Sequence, residues 1–261
     1  MRSLSVAATG MMAQQMNVEV ISNNIANMTT AGYKKRRAEF QDLLYQNQRR
    51  TGANSSEAGT LVAAGVQLGL GVKPAAVYRV HAQGDMVSTE SPLDVAIQGK
   101  GFFVIEKPDG ELAYTRSGQF QLGPDGILVN ADGYTVSPGI TVPEDATEIS
   151  VNAEGGVSAR VAGEVEPVEL GRLELALFAN PTGLDAIGNN LLLETPSSGG
   201  ALIGAPGSEG YGTLLQGFVE SSNVNPVAEM TSLITAQRAY DLNSKVISAS
   251  DEMLSTITQL R

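Results

Sequence analysis

The chain has 261 residues, 42% of them hydrophobic, enough for one large domain or two smaller ones with a buried core. Its net charge of −11 argues against nucleic acid and anionic membrane surfaces as partners, because both select clustered Lys and Arg. It has no cysteine, which excludes disulfides and thiolate chemistry, and its 29 glycines point to many turns and short strands.

Arg2 followed by Leu4–Ala8 imitates the start of a signal peptide, but the apolar run stops after about five residues, short of the roughly 7–15 that a secretory core needs. No stretch approaches the ~20 apolar residues of a membrane span. The expectation is a soluble chain that does not use signal-peptide secretion. Residues 3–28 read as a helix about 39 Å long. Leu4, Met11, Val18 and Ile25 recur every seven residues, with Ala7, Gln14, Ile21 and Met28 at the matching d positions. Asn23, Asn24 and Asn27 crowd its end, although Asn is a mediocre helix former. Two explanations fit: the helix frays before Gly32, or the amides hydrogen-bond neighbouring chains.

Lys34–Arg37 is a basic run of the kind that usually forms a solvated face. Phe40, Leu43, Leu44 and Tyr45 make a short apolar patch. Gln46 to Gly59 is poor in apolar residues and reads as a linker or extended arm. Gly69-x-Gly71 lacks the third glycine of a dinucleotide fingerprint, and Pro74 blocks the helix that should follow.

From about Val72 the period becomes that of strands. Val95–Ile97, Phe102–Ile105 and Leu112–Thr115 are punctuated by Lys107-Pro-Asp-Gly110, and Phe120–Leu122 and Ile127–Val129 by Gly123-Pro-Asp-Gly126. Proline presets φ and glycine accepts φ > 0, so both tetrapeptides predict hairpin turns. Asn130-Ala-Asp-Gly133 predicts a third turn, and Glu154-Gly-Gly156 a fourth between Ile149–Val151 and Val157–Val161. Leu173–Phe178 alternates as a strand, residues 195–213 read as loop, and Leu214–Val219 as one last strand.

Asn225 and Pro226 suit the cap and first turn of a second helix that runs to Leu260 with no further Gly or Pro, roughly 50 Å. Leu233, Tyr240, Ile247 and Leu254 repeat every seven residues, with Ala236, Asn243, Ser250 and Ile257 at the d positions and Val246, Met253 and Leu260 widening the stripe. The predicted fold is therefore α+β. Residues 1–30 and 226–261 form a discontinuous core of long, coiled-coil-like paired helices. Residues 31–72 form an extended connector or arm, and residues 73–225 an inserted all-β domain of short strands and hairpins.

Little in this chain points to chemistry. His81 is the single histidine and has no cysteine to work with; metal-ligand spacing, a nucleophile elbow and a phosphate loop are all missing. Asp85, Glu90, Asp94 and Glu106 offer carboxylates, but acidic residues at β turns are far more often surface charge. Glu229, Asp241, Asp251 and Glu252 give the second helix the wrong sign for an anionic membrane surface. No catalytic, cofactor or metal site is expected. A β body with two striped termini favours polymerisation, because many copies packed side by side bury seams that one copy covers poorly. In a free copy the termini should be largely disordered.

Several blocks carry a resemblance. Asn24-Ile-Ala-Asn27-Met-Thr-Thr30-Ala-Gly32-Tyr33 matches the signature of bacterial flagellar basal-body rod and hook proteins. Asp94-Val-Ala-Ile97-Gln-Gly99-Lys-Gly101-Phe-Phe103, Tyr114-Thr-Arg116-Ser-Gly118-Gln-Phe120 and Gly126-Ile-Leu-Val129 resemble blocks of that family's β domain. Gln216-Gly-Phe-Val-Glu220-Ser-Ser-Asn223-Val and Gln237-Arg238-Ala-Tyr240 resemble the entry and interior of its last helix. Within the family the length, the Gln46–Gly65 arm, and the blocks Asp42–Tyr45 and Gly65–Val72 favour the distal-rod branch. The resemblance implies a homopolymer that forms a drive shaft without enzymatic activity. It also implies export through the flagellar type III apparatus without signal cleavage, and a place in the basal body across the periplasm. The neighbours it implies are proximal rod proteins, the hook protein, the P-ring and L-ring proteins, and a rod cap. The polymer interface would run through Leu4, Met11, Val18, Ile25, Leu233, Tyr240, Ile247 and Leu254. Three other readings stay open at this level: another axial subunit of the same family, a carbohydrate-active β protein, and a monomeric binding module with a closed helix pair.

Overall fold

The computed structural model describes residues 2–49, 64–162 and 166–259. The chain falls into two compact units, one comprising Met1–Ile25, Arg36–Tyr78 and Asn225–Arg261, the other Ala26–Lys35 and Arg79–Val224. The architecture is α+β, with one helix toward each terminus and short strands between.

In the first unit, helix α1 spans Arg2–Ala26 and helix α2 spans Pro226–Gln259. The Asn225 side chain caps α2 by accepting a hydrogen bond from the Ala228 N–H at 3.1 Å. Asn24 donates to Glu229 at 3.2 Å, Asn243 packs where a Cβ on Gly10 would sit 2.9 Å from its amide nitrogen, and Ser250 Oγ lies 3.3 Å from Ser3 Oγ. These contacts step down α1 as they step up α2, so the helices meet antiparallel. Ala7, Ala13 and Ile21 are buried on α1, and Ala236 and Ser250 on α2. Small residues and one glycine thus let the backbones approach closely. The side chain of Ile257 and all of Leu260, both assigned to the stripe, lie outside the described residues.

The connector is more ordered than its composition implies. Strand Arg36–Asp42 pairs with Val72–Arg79, and strand Tyr45–Arg49 pairs antiparallel with Val66–Gly69, placing Gln46 opposite Leu68. The segment from Gln46, read as a linker or extended arm, is extended in its first residues, where ladder hydrogen bonds hold polar residues in an exposed ribbon. Residues 50–63 of the arm lie outside the described residues.

The second unit is built on a nine-stranded sheet. Its centre is the hairpin Phe102–Glu106 with Leu112–Thr115, flanked by Leu191–Leu193 on one side and Thr135–Val136 on the other. All four predicted turns are present, with Gly110, Gly126, Gly133 and Gly155 at positive φ. Val95, Ile97, Phe103, Ile105, Leu175 and Leu214 lie in the main core, while Phe102, Val104, Tyr114 and Phe178 fill a second core on the sheet's opposite face. Both faces of the central strands are therefore buried, and they read as continuous apolar runs.

Two expectations are corrected here. The segment 195–213 is not all loop: Leu202–Gly204 pairs with Leu175–Leu177 at the margin of the sheet. Leu214–Val219 is not one strand, because Gly217 (φ 75°) breaks it into Thr213–Gln216, paired with Val95–Gln98, and Phe218–Glu220, paired with Met86–Ser88.

Candidate functional site: the helical surface and a buried ion cluster

The eight heptad residues line up as the spacing requires but are not equally covered. Leu4, Met11, Val18, Ile25, Leu233, Ile247 and Leu254 are half-buried, and Tyr240 is exposed. Elsewhere on the helices Met12 is 71% exposed, Val227 74%, Leu242 62% and Met253 56%. The intramolecular contact covers Ile21 and the small d residues Ala7, Ala236 and Ser250 and leaves those eight heptad residues in part or wholly open.

Asn24 is buried and works inside its own chain. Its Nδ2 donates to the Arg36 carbonyl at 2.9 Å and to Glu229, while its Oδ1 accepts from the Arg36 N–H at 2.8 Å. These bonds tie the end of α1 to the strand starting at Arg36. Asn27 accepts from Thr30 Oγ1 at 3.2 Å. Gly32 is left-handed (φ 70°) and donates to the Glu220 carbonyl at 2.7 Å, and a Cβ there would come within 2.6 Å of the Ser117 nitrogen. The conformation and the close approach both require glycine. Tyr33 follows, half-buried, and its carbonyl accepts from the Asn223 N–H. Gln237 and Arg238 are exposed on α2.

Lys34 overturns the solvated reading of the basic run. It is buried in the second unit, donating to the Ala82 carbonyl at 2.9 Å and pairing with Glu220. Glu220 also accepts from Arg116 Nε at 2.5 Å and from the Gly84 N–H at 2.9 Å. Three further guanidinium donors of Arg116 go to the carbonyls of Gly101 (2.6 Å), Ile97 (3.0 Å) and Gly99 (2.5 Å). Burial alone would push the Glu220 carboxyl up, but Arg116 and Lys34 outweigh it and hold it below its ordinary value. Burial brings the Lys34 ammonium below its usual range despite Glu220. Two cations on one carboxylate, each with a further donor on a carbonyl, form a buried structural cluster. The clue in the sequence was Glu220 itself, a charge closing the apolar strand Phe218–Glu220; its partners lie 186 and 104 residues away and leave no local trace.

His81 packs edge-on against Phe102 with centroids 5.9 Å apart. Burial first, then the charges of Lys34 and Arg79, lowers its pKa to about 4, so the imidazole is neutral at physiological pH. Asp94 accepts from Thr89 Oγ1 at 2.7 Å, and Glu106 is exposed at a strand end. No group of three or more potential metal-ligating side chains occurs among the described residues.

Three family models match the chain. Residues 4–34 match the flagella basal body rod protein model, 96–159 the flagellar hook protein FlgE/F/G D1 domain, and 215–260 the flagellar basal body rod FlgEFG protein C-terminal model. These intervals contain the Asn24–Tyr33 signature, most of the Asp94–Phe103 block and the Gln237–Tyr240 motif. The chain is 55% identical over its whole length, and over the whole of the relative, to the flagellar basal-body rod protein FlgG of Caulobacter vibrioides. It is 49% identical to FlgG of Borreliella burgdorferi and 40% to FlgG of Bacillus subtilis, in each case over 100% of this chain and 99% of the relative. With such identity from end to end, the chain belongs to the FlgG family of flagellar basal-body rod proteins, non-enzymatic structural subunits of the distal rod.

Proposed function

We propose that copies of this chain polymerise into a rigid hollow shaft that passes motor torque to the hook. The termini form a coiled-coil-like inner tube and the β units face outward. The observation that carries this reading is the apolar surface left on the helical unit after its own two helices have met, with Met12, Val227, Met230, Leu242 and Met253 each more than half exposed. Burying one such side chain is worth about 1.5–3 kcal/mol, so several per copy offset the entropy of ordering two long termini. Leu4, Met11, Val18, Ile25, Leu233, Tyr240, Ile247 and Leu254 would carry axial and lateral contacts. In this reading the shaft crosses the periplasm, abuts proximal rod and hook proteins, grows under a rod cap and turns inside the P-ring and L-ring. Its subunits pass the flagellar type III apparatus without signal cleavage.

The experiment is negative-stain microscopy of the purified, concentrated chain and of Ile247→Asp. The intact chain should form filaments. The variant should form none while keeping its β-sheet circular dichroism. An intact chain that stays monomeric, or a variant that assembles normally, refutes the reading.

A further inference from the structure

The chain holds neither cysteine nor tryptophan, so its eight methionine thioethers are its most readily oxidised side chains. Five of them stand on the two helices, Met11, Met12 and Met16 on α1 and Met230 and Met253 on α2. Met12, Met230 and Met253 are each more than half exposed, whereas Met11 and Met16 are half-buried. The antiparallel contacts fix their levels. Met230 follows Glu229, which meets Asn24; Met12 lies two residues past Gly10, which meets Asn243; Met253 lies three residues past Ser250, which meets Ser3. One exposed thioether thus stands near each end of the helix pair and one near its middle. Met28, in the turn after α1, and Met86, in strand Met86–Ser88, belong to the other unit.

We infer that Met12, Met230 and Met253 form an oxidant-sensitive modification site that governs whether a free copy assembles. A peroxide supplies the oxygen. Each thioether sulfur loses two electrons and gains one S–O bond, the O–O bond breaks, and the rest of hydrogen peroxide leaves as water. A sulfoxide is polar, while the surface to be covered in the shaft is apolar. Conversion at three levels therefore places dipoles that need hydrogen bonds into the contact along its whole length. Burial acts the other way, because a neighbouring copy seated over these sulfurs keeps peroxide out. Free copies are therefore sensitive and assembled ones resistant. A sulfoxide reductase with a thiol reductant takes the oxygen off as water, forms a disulfide from the reductant, and restores the apolar surface. The inference rests on the polymerisation reading above and adds a chemical control to it.

The test treats the full-length chain with hydrogen peroxide, maps each sulfoxide by peptide mass spectrometry, and reads the critical concentration for filament formation by light scattering. Met12, Met230 and Met253 should oxidise ahead of Met11 and Met16, and the critical concentration should rise about tenfold or more. Treatment with reductases for both sulfoxide epimers should return it to the parent value. The chain carrying Met12→Leu, Met230→Leu and Met253→Leu keeps apolar side chains of similar volume, so it should polymerise as the parent does and lose the sensitivity. A chain carrying Met28→Leu and Met86→Leu should stay sensitive. In preformed filaments the three helical sulfurs should oxidise more slowly than in free copies. An oxidised chain that assembles like the parent, a three-site variant that stays sensitive, or equal oxidation in filaments and free copies overturns the site while leaving polymerisation itself intact. A parent chain that never polymerises overturns the polymerisation reading and this control with it. β-sheet circular dichroism after treatment separates lost assembly from lost folding.

Discussion

Glu220→Gln isolates the buried cluster with little change of shape. The amide keeps the length of the side chain and still accepts from Gly84, but Lys34 and Arg116 lose their common anion in a site where the carboxylate side chain is 0% exposed. Removing one member of a buried ion pair costs about 3–5 kcal/mol, because the remaining charge stays desolvated. In a unit of this size each kcal/mol lowers the melting temperature by about 2–4 °C, so the β unit should melt about 10 °C earlier. The assay is thermal unfolding followed by β-sheet circular dichroism, at neutral pH and again in acid. Glu220 has a depressed folded-state pKa, so its stabilisation is complete above its ordinary value of 4.5 and fades as pH falls through the depressed one. The gap between parent and variant should therefore narrow in acid. A melting temperature within about 1 °C of the parent at neutral pH, or a gap that widens in acid, refutes the account of the cluster as the clamp on residues 26–35.

The remaining predictions concern acid sensitivity and stiffness. The His81 imidazole is neutral in the folded unit down to about pH 4, whereas an unfolded chain protonates near 6.5. Stability should be full above 6.5 and decline by about 2–3 kcal/mol as pH falls toward 4. His81→Phe should flatten that decline in an acid titration of unfolding, and an unchanged slope would assign it to other groups. Deleting residues within the Gln46–Gly65 arm should make filaments bend more easily, measured as a shorter persistence length in micrographs. Equal persistence lengths would show that the arm does not stiffen the shaft.

The parts of the fold that local chemistry dictates were legible in the sequence. Pro-Asp-Gly fixed the hairpins at 107–110 and 123–126, since few residues besides glycine accept the φ required at Gly110 and Gly126. The Asn225-Pro226 cap and the unbroken heptads placed α2 to within a residue or two of its ends. What stayed hidden depends on partners far along the chain. Lys34 looks like any surface lysine until Glu220 is folded beside it, and Asn24 looks like a weak helix end until Arg36 turns back onto it. The strand Leu202–Gly204 escaped notice because its ladder partner, Leu175–Leu177, and not its own composition, makes it a strand. The heptad residues were legible as positions, but their coverage was not: Gly10 and the small d residues decide which part of the stripe closes within one copy.

The meeting of Ser3 with Ser250 has a consequence for timing. The turn around Ser3 meets a residue that is made 247 positions later along the chain. Ser3 therefore has no mate until Ser250 has been made. A chain cut short before Ser250 leaves the turn around Ser3 without this contact.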